Sequence, residues 1–279
     1  MDTPLASPAA ALRDVLPTGL LAVLVGTQIA YPLTIGAARD AVTVAVVLLT
    51  AGTALLHAAV TRGPRYAAGF LVIVSGIGLV AEAVGTATGL PFGAYDYADG
   101  RIGPQLFDVP LVVPLAWTGG LYPIWVVAGL LCPRPAARIG ATAVGAVGWD
   151  LFLDPQMVAD GQWNWQNIDA GLPGLAAIPY TNYLGWLAVA AVMATALTVW
   201  ERTARAAARP GVPILMFLWT WLGSALAHAV FLGLPYSAAY GSVVLGVLGV
   251  PLLVRLTREA TGYGAAHDRR AVGPVAWRR

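Results

Sequence analysis

Eight separate stretches of about twenty apolar residues each run along this chain, and each is long enough to cross the hydrocarbon core of a bilayer. They occupy residues 15–35, 40–60, 66–90, 111–131, 136–157, 180–200, 212–233 and 236–256. Of 279 residues 58% are hydrophobic and only 11% charged, where a water-soluble domain carries roughly 25% charged residues. There is too little charge to cover a surface facing water, so lipid is the solvent this chain is built for. The predicted fold class is all-α, a polytopic transmembrane helix bundle of about eight spans. Residues 1–257 form a single transmembrane domain, and residues 258–279 a polar, arginine-rich cytoplasmic tail that is expected to be disordered.

The connections between stretches sort by charge. Arg62 and Arg65, Arg134 and Arg138, then Arg202, Arg205 and Arg209 follow the second, fourth and sixth stretches, and a further arginine cluster follows the eighth. The alternate connections carry few arginines and most of the aspartates, including Asp96, Asp99, Asp108 and Asp160. Positive-inside orientation then predicts both termini in the cytoplasm and a multi-pass protein of the cell inner (plasma) membrane. The first stretch, preceded only by Arg13, is long for a signal-peptide core and reads as the first span. The net charge of +2 reports topology and gives no reason to expect nucleic acid. The single cysteine, Cys132, excludes an internal disulfide and a cysteine metal cluster.

Two of the aspartate-bearing connections are longer than the rest. Residues 91–110 and 158–179 are rich in glycine and proline, which exclude regular helix. They are also rich in aromatic residues, among them Tyr95, Tyr97, Trp163 and Trp165. These loops are expected to fold over the outer mouth of the bundle as a lid; plain anchoring at the interface is the alternative.

Three acidic residues fall inside the spans. Glu82 lies in the third, about 10 Å below its outer end at 1.5 Å per residue. Asp150 lies at a similar expected depth in the fifth, with Asp154 one turn further on the same face. An acidic residue at a helix centre costs about 2.5–3.5 kcal/mol to insert and faces a bundle interior or wet cavity. No arginine lies in the interior of these spans, so desolvation and mutual repulsion favour the protonated form of at least one acid. A proton donor beside an ionised acceptor is what acid–base chemistry requires; a neutral carboxyl bridging two helices is the bland alternative. His228, in the outer half of the seventh span, could reach the same level or simply bridge helices. No HExxH or comparable spacing is present, and no metal or other cofactor is assigned.

The block from Glu82 to Tyr97, EAVGTATGLPFGAYDY, is followed by Gly103, Pro104, Val109, Pro110, Leu111, Pro114 and Trp117. The order continues with Trp149, Asp150, Asp154 and Pro155, then Gly161, Trp163 and Trp165, then Pro179, Asn182, Gly185 and Trp186. Over residues 66–190 this resembles the membrane carotenoid-biosynthesis proteins typified by the CruF carotenoid 1,2-hydratases. The resemblance implies addition of water to the terminal 1,2 double bond of an acyclic carotenoid end group, without a redox cofactor. Its partners would be a lipophilic polyene, water and the bilayer, with association to other carotenoid pathway enzymes. For that chemistry Asp150 or Glu82 is the expected acid, and Asp154 or Asp96 the expected base. Tyr95, Trp117, Trp149, Trp163 and Trp165 are the expected aromatic lining that stabilises a carbocation, with Asn182 and His228 as further substrate-binding candidates. A membrane terpene or carotenoid cyclase starting from the same protonation, and a proton-coupled transporter, are the alternatives.

Overall fold

The computed structural model describes residues 8–166, 168, 170–204 and 209–271. It is a bundle of eight long helices: α1 (Pro8–Ala30), α2 (Gly36–Arg62), α3 (Pro64–Thr88), α4 (Val112–Leu131), α5 (Pro135–Ala159), α6 (Tyr180–Trp200), α7 (Gly211–Phe231) and α8 (Pro235–Ala271). Each coincides with one apolar stretch of the sequence to within a few residues, except that α1 begins seven residues before its stretch and α8 runs past its own. The expected irregular tail therefore begins as helix to Ala271, and residues 272–279 lie outside the described residues. Seven of these helices are long and apolar enough to cross a membrane. The exception is α5, where Arg138, Asp150, Asp154 and Gln156 lower the hydropathy; it is enclosed by α4, α6 and α8.

The two ends of the bundle differ in chemistry. At one end Glu201, just after α6, accepts hydrogen bonds from Tyr66 (3.0 Å) and Trp125 (3.2 Å) and pairs with Arg62 and Arg138. The Arg138 guanidinium lies 3.4 Å from the centre of the Trp125 ring. His57 bridges Tyr122 Oη (2.8 Å) and the Arg209 carbonyl (2.9 Å). Five helices are tied together here by groups that would otherwise be stranded in lipid.

At the other end the two long connections make the lid, and they do so with short strands, which an all-helical reading of the sequence does not anticipate. β1 (Tyr95–Tyr97) pairs antiparallel with β4 (Trp163–Trp165), setting Tyr95 opposite Trp165, Asp96 opposite Asn164 and Tyr97 opposite Trp163. The first connection also holds a small hairpin of β2 (Gln105–Leu106) and β3 (Val109–Pro110), and the second one of β5 (Gly171–Leu172) and β6 (Leu175–Pro179). Ion pairs moor the lid to the helices. Arg101 binds Asp40 (2.8 Å) and the carbonyls of Asp160 and Gly161 (2.6 and 2.9 Å). Arg39 pairs with Asp160 (2.6 Å), which also accepts from Tyr31.

α5 contains Pro155, which has no N–H to give the carbonyl four residues back. That carbonyl belongs to Leu151, and the buried Ser237 hydroxyl on α8 donates to it at 2.6 Å. The repair brings α8 onto α5 beside Asp154. Ser237→Ala should therefore cost about 1–3 kcal/mol, because a buried carbonyl is left unpaired. Pro155→Ala restores the backbone donor, so the double variant should lose less than the sum of the single ones. Thermal unfolding of the four proteins in one detergent measures this coupling, and strict additivity would contradict it.

Candidate active site

Glu82 is 5% exposed and its carboxylate accepts three hydrogen bonds. Tyr95 Oη lies 2.5 Å and Tyr97 Oη 2.8 Å from Oε2, and Trp117 Nε1 lies 2.9 Å from Oε1. The tyrosines reach it because strand alternation turns residues 95 and 97 to the same side, inward from β1. Burial, then the neighbouring Glu82 charge, pushes both phenols well above their ordinary range, so they remain protonated donors. Gly85, one turn beyond Glu82, makes room for Tyr95: a Cβ there would sit 2.7 Å from its hydroxyl.

Asp150 and Asp154 share one donor on the neighbouring helix. Asn182 Nδ2 lies 2.9 Å from Asp150 Oδ2 and 2.5 Å from Asp154 Oδ2. Asp154 Oδ1 accepts from Trp163 Nε1 at 3.1 Å, while Asp150 Oδ1 is buried with no hydrogen-bond partner among the described residues. The two halves meet at the lid, where the Tyr97 and Trp163 rings pack edge to face at 5.5 Å. One carboxylate is thus held through Tyr97 and the other through its cross-strand neighbour.

Glu82 and Asp154 both open onto a cavity of about 360 Å³. On one side it is walled by a tryptophan cluster. Trp117 and Trp186 stack with centroids 3.8 Å apart, and Trp149 meets both edge-on, at 6.5 and 5.4 Å. Gly120 seats Trp149, since a Cβ there would fall 2.3 Å from that ring. Opposite, α7 turns twice in wide π geometry, at Trp219–Gly223 and Ala227–Phe231, and both turns line the cavity. Such turns commonly mark functional sites.

Most of the residues singled out from the sequence converge here. Glu82, Asp154, Tyr95, Trp117, Trp149, Trp163, Trp165, Asn182 and His228 all line the cavity. Two placements need correction. Asp96 is exposed on the outer face of β1 and bonded to Gln166, because the alternation that turns Tyr95 and Tyr97 inward turns it outward. Asp150 sits behind Asp154 and does not line the cavity. Glu82 precedes the end of α3 by six residues (82 to Thr88) and Asp154 the end of α5 by five (154 to Ala159), a closer match than the nine of Asp150. His228 bridges Ser237 Oγ (2.8 Å) and Gln156 Oε1 (3.1 Å), and its hydrogen bonds go to helices rather than to the acids. Tyr97 and Trp186 were not among the expected site residues. Both carried a signal: Tyr97 is two residues along a strand from Tyr95, and Trp186 is one helical turn from Asn182.

Filling the space beneath Trp149 tests the aromatic wall independently of any activity. Gly120→Ala should displace that ring, weaken the near-ultraviolet circular dichroism of the tryptophan cluster and cost about 1–3 kcal/mol through overpacking. An unchanged spectrum and melting temperature would show that the wall is not held as described.

The family model for carotenoid biosynthesis proteins matches residues 42–248 of this chain. A bisanhydrobacterioruberin hydratase of Haloarcula japonica is 33% identical over 111 residues, which are 38% of this chain and 36% of that relative. The chain therefore aligns with little more than a third of the length of that curated relative. No solved structure matches it.

Proposed function

This chain belongs to the carotenoid biosynthesis protein family, and on that premise we propose that it is a carotenoid 1,2-hydratase. It adds water to the terminal double bond of an acyclic end group and leaves a tertiary alcohol. The observation that carries this reading is the convergence of two differently supported carboxyl sites, Glu82 and Asp154, on one aromatic cavity. The name of the partial relative points the same way.

The two sites suit opposite roles. Two carboxyl oxygens within 2.9 Å of one amide nitrogen are stable together when the pair holds a proton between them. The partnerless Asp150 Oδ1 fits a carboxyl group that is not fully ionised. Glu82 instead accepts three donors, the environment of an ionised carboxylate. Asp154, the cavity-facing member of the pair, gives its proton to C2, where the alkene π electrons form the new C–H bond. The tertiary cation left at C1 lies beside the cluster of Trp117, Trp149 and Trp186, where an open ring face stabilises it through the ring quadrupole. Water held by Glu82 adds through oxygen to C1 and yields one proton to Glu82. The sum is alkene plus water to alcohol, and transfer of that proton back to the aspartate pair restores the site. No electrons are gained or lost, so the reaction calls for no redox cofactor. We further assign the protein to the plasma membrane with its arginine-rich end in the cytoplasm, in keeping with the positive-inside rule.

Expression in a host that accumulates an acyclic carotenoid tests this directly. The wild type should raise the pigment mass by one water, whereas a cyclase would shift chromatographic retention without changing mass. Glu82→Gln and Asp154→Asn should each lower product about 10²–10⁴-fold, the usual range for a general acid or base. Asp96→Asn, outside the cavity, should leave it near normal. Hydration at wild-type levels by both amide variants would end the proposal.

A further inference from the structure

The cavity is not sealed by the lid and the helices alone. Among the described residues of its wall, only four are exposed: Ile29 (54%) and Leu33 (77%) at the end of the first span, and Leu226 (58%) and Phe231 (60%) at the end of α7. All four are apolar and lie in helical segments long enough to cross the bilayer. The rest of the wall is buried or half-buried. The seam between α1 and α7 is closed at one level by a hydrogen bond from Trp219 Nε1 to Gln28 Oε1 (2.7 Å). The exposed residues all lie on the lid side of that bond. From these exposed residues a mostly apolar wall, with Gln28, Thr220, Ser224 and His228 as its polar members on α1 and α7, runs inward to Trp117, Trp149 and the acids.

Size adds the second argument. A volume of about 360 Å³ is near the lower limit of the roughly 300–1,000 Å³ pockets that enclose drug-sized ligands. A long polyene with its end at Glu82 and Asp154 must leave most of its length outside. Passage through the lid would carry hydrocarbon past Arg101, Asp40, Arg39 and Asp160, a belt of charge. Passage between α1 and α7 meets mostly apolar side chains and, among the described lining residues of those helices, no ion pair.

From these observations we infer that the seam between α1 and α7, rimmed by Ile29, Leu33, Leu226 and Phe231, is a lateral entrance from the bilayer. The end of a long acyclic polyene enters there, and the remainder of its chain stays among the lipid tails. The inference rests on the proposed reading for the identity of its occupant. Its test is binding, so that its failure and the failure of that reading can be told apart.

A fluorophore on Leu226→Cys, in a Cys132→Ser background, would be compared in lipid nanodiscs with the same fluorophore on Val80→Cys. Val80 is 64% exposed on α3, a helix that packs on α2, α4 and α6 away from the seam. An acyclic carotenoid that absorbs at the emission wavelength should quench the label at position 226 at about tenfold lower concentration than at position 80. Leu33→Trp should raise the concentration needed at position 226 by about tenfold, equivalent to about 1.4 kcal/mol. A short isoprenoid with the same end group, too small to fill the seam, should compete with the carotenoid in both backgrounds. Equal quenching at the two positions, or indifference to Leu33→Trp, overturns the entrance. Preferential quenching at position 226 with no gain of water in the pigment upholds the entrance and defeats the hydratase reading.

Discussion

A carboxyl group inside a membrane-spanning bundle is cut off from bulk water, so the protein must supply hydrogen bonds in its place. Glu82, Asp150 and Asp154 impose that demand on the rest of the architecture. Helices alone cannot meet it, because their backbone donors are spent within the helix. Side chains must therefore come from elsewhere: Trp117 and Asn182 from adjacent helices, and Tyr95, Tyr97 and Trp163 from the lid. The strand pairing between the two loops is the device that delivers the last three. Its alternation puts phenol and indole donors on the inner face and leaves Asp96 and Asn164 outside.

The surroundings of the site follow from the same requirement. Ion pairs at Asp40 and Asp160 hold the loops down, and Gly85 and Gly120 let aromatic rings sit against helix backbones. The π turns in α7 and the interruption at Pro155 shape the remaining wall, with Ser237 restoring the bond that Pro155 removes. The result is a space with a largely apolar and aromatic surface into which two acids open.

Much of this could be read in the sequence. Twenty-residue apolar stretches pointed to helices, since a helix satisfies its own backbone in lipid and a barrel strand is only about 9–11 residues long. The rarity of acids in such stretches singled out Glu82, Asp150 and Asp154. Contacts set by tertiary geometry were harder to foresee. The three-residue strands have no periodicity long enough to detect, so the sequence pointed to Asp96 and did not single out Tyr97. The relative depth of Asp150 and Asp154 depended on where α5 ends, a boundary uncertain by a turn. The part of the wall contributed by α1 and α7 carries no ionisable motif besides His228, and nothing in its residues distinguishes lining from ordinary lipid contact.

The donors of each acid are close to it along the chain. Glu82 is served by residues 95, 97 and 117, Asp154 by residues 163 and 182, and Asp150 by residue 182. The longest of these separations is 35 residues, so closing each loop costs little chain entropy. During synthesis every donor to these acids, and the second strand of the pairing that positions Tyr95 and Tyr97, is present once α6 has been made, before the last two helices emerge. Biogenesis of this protein thus never leaves these acids awaiting a partner from the last two helices.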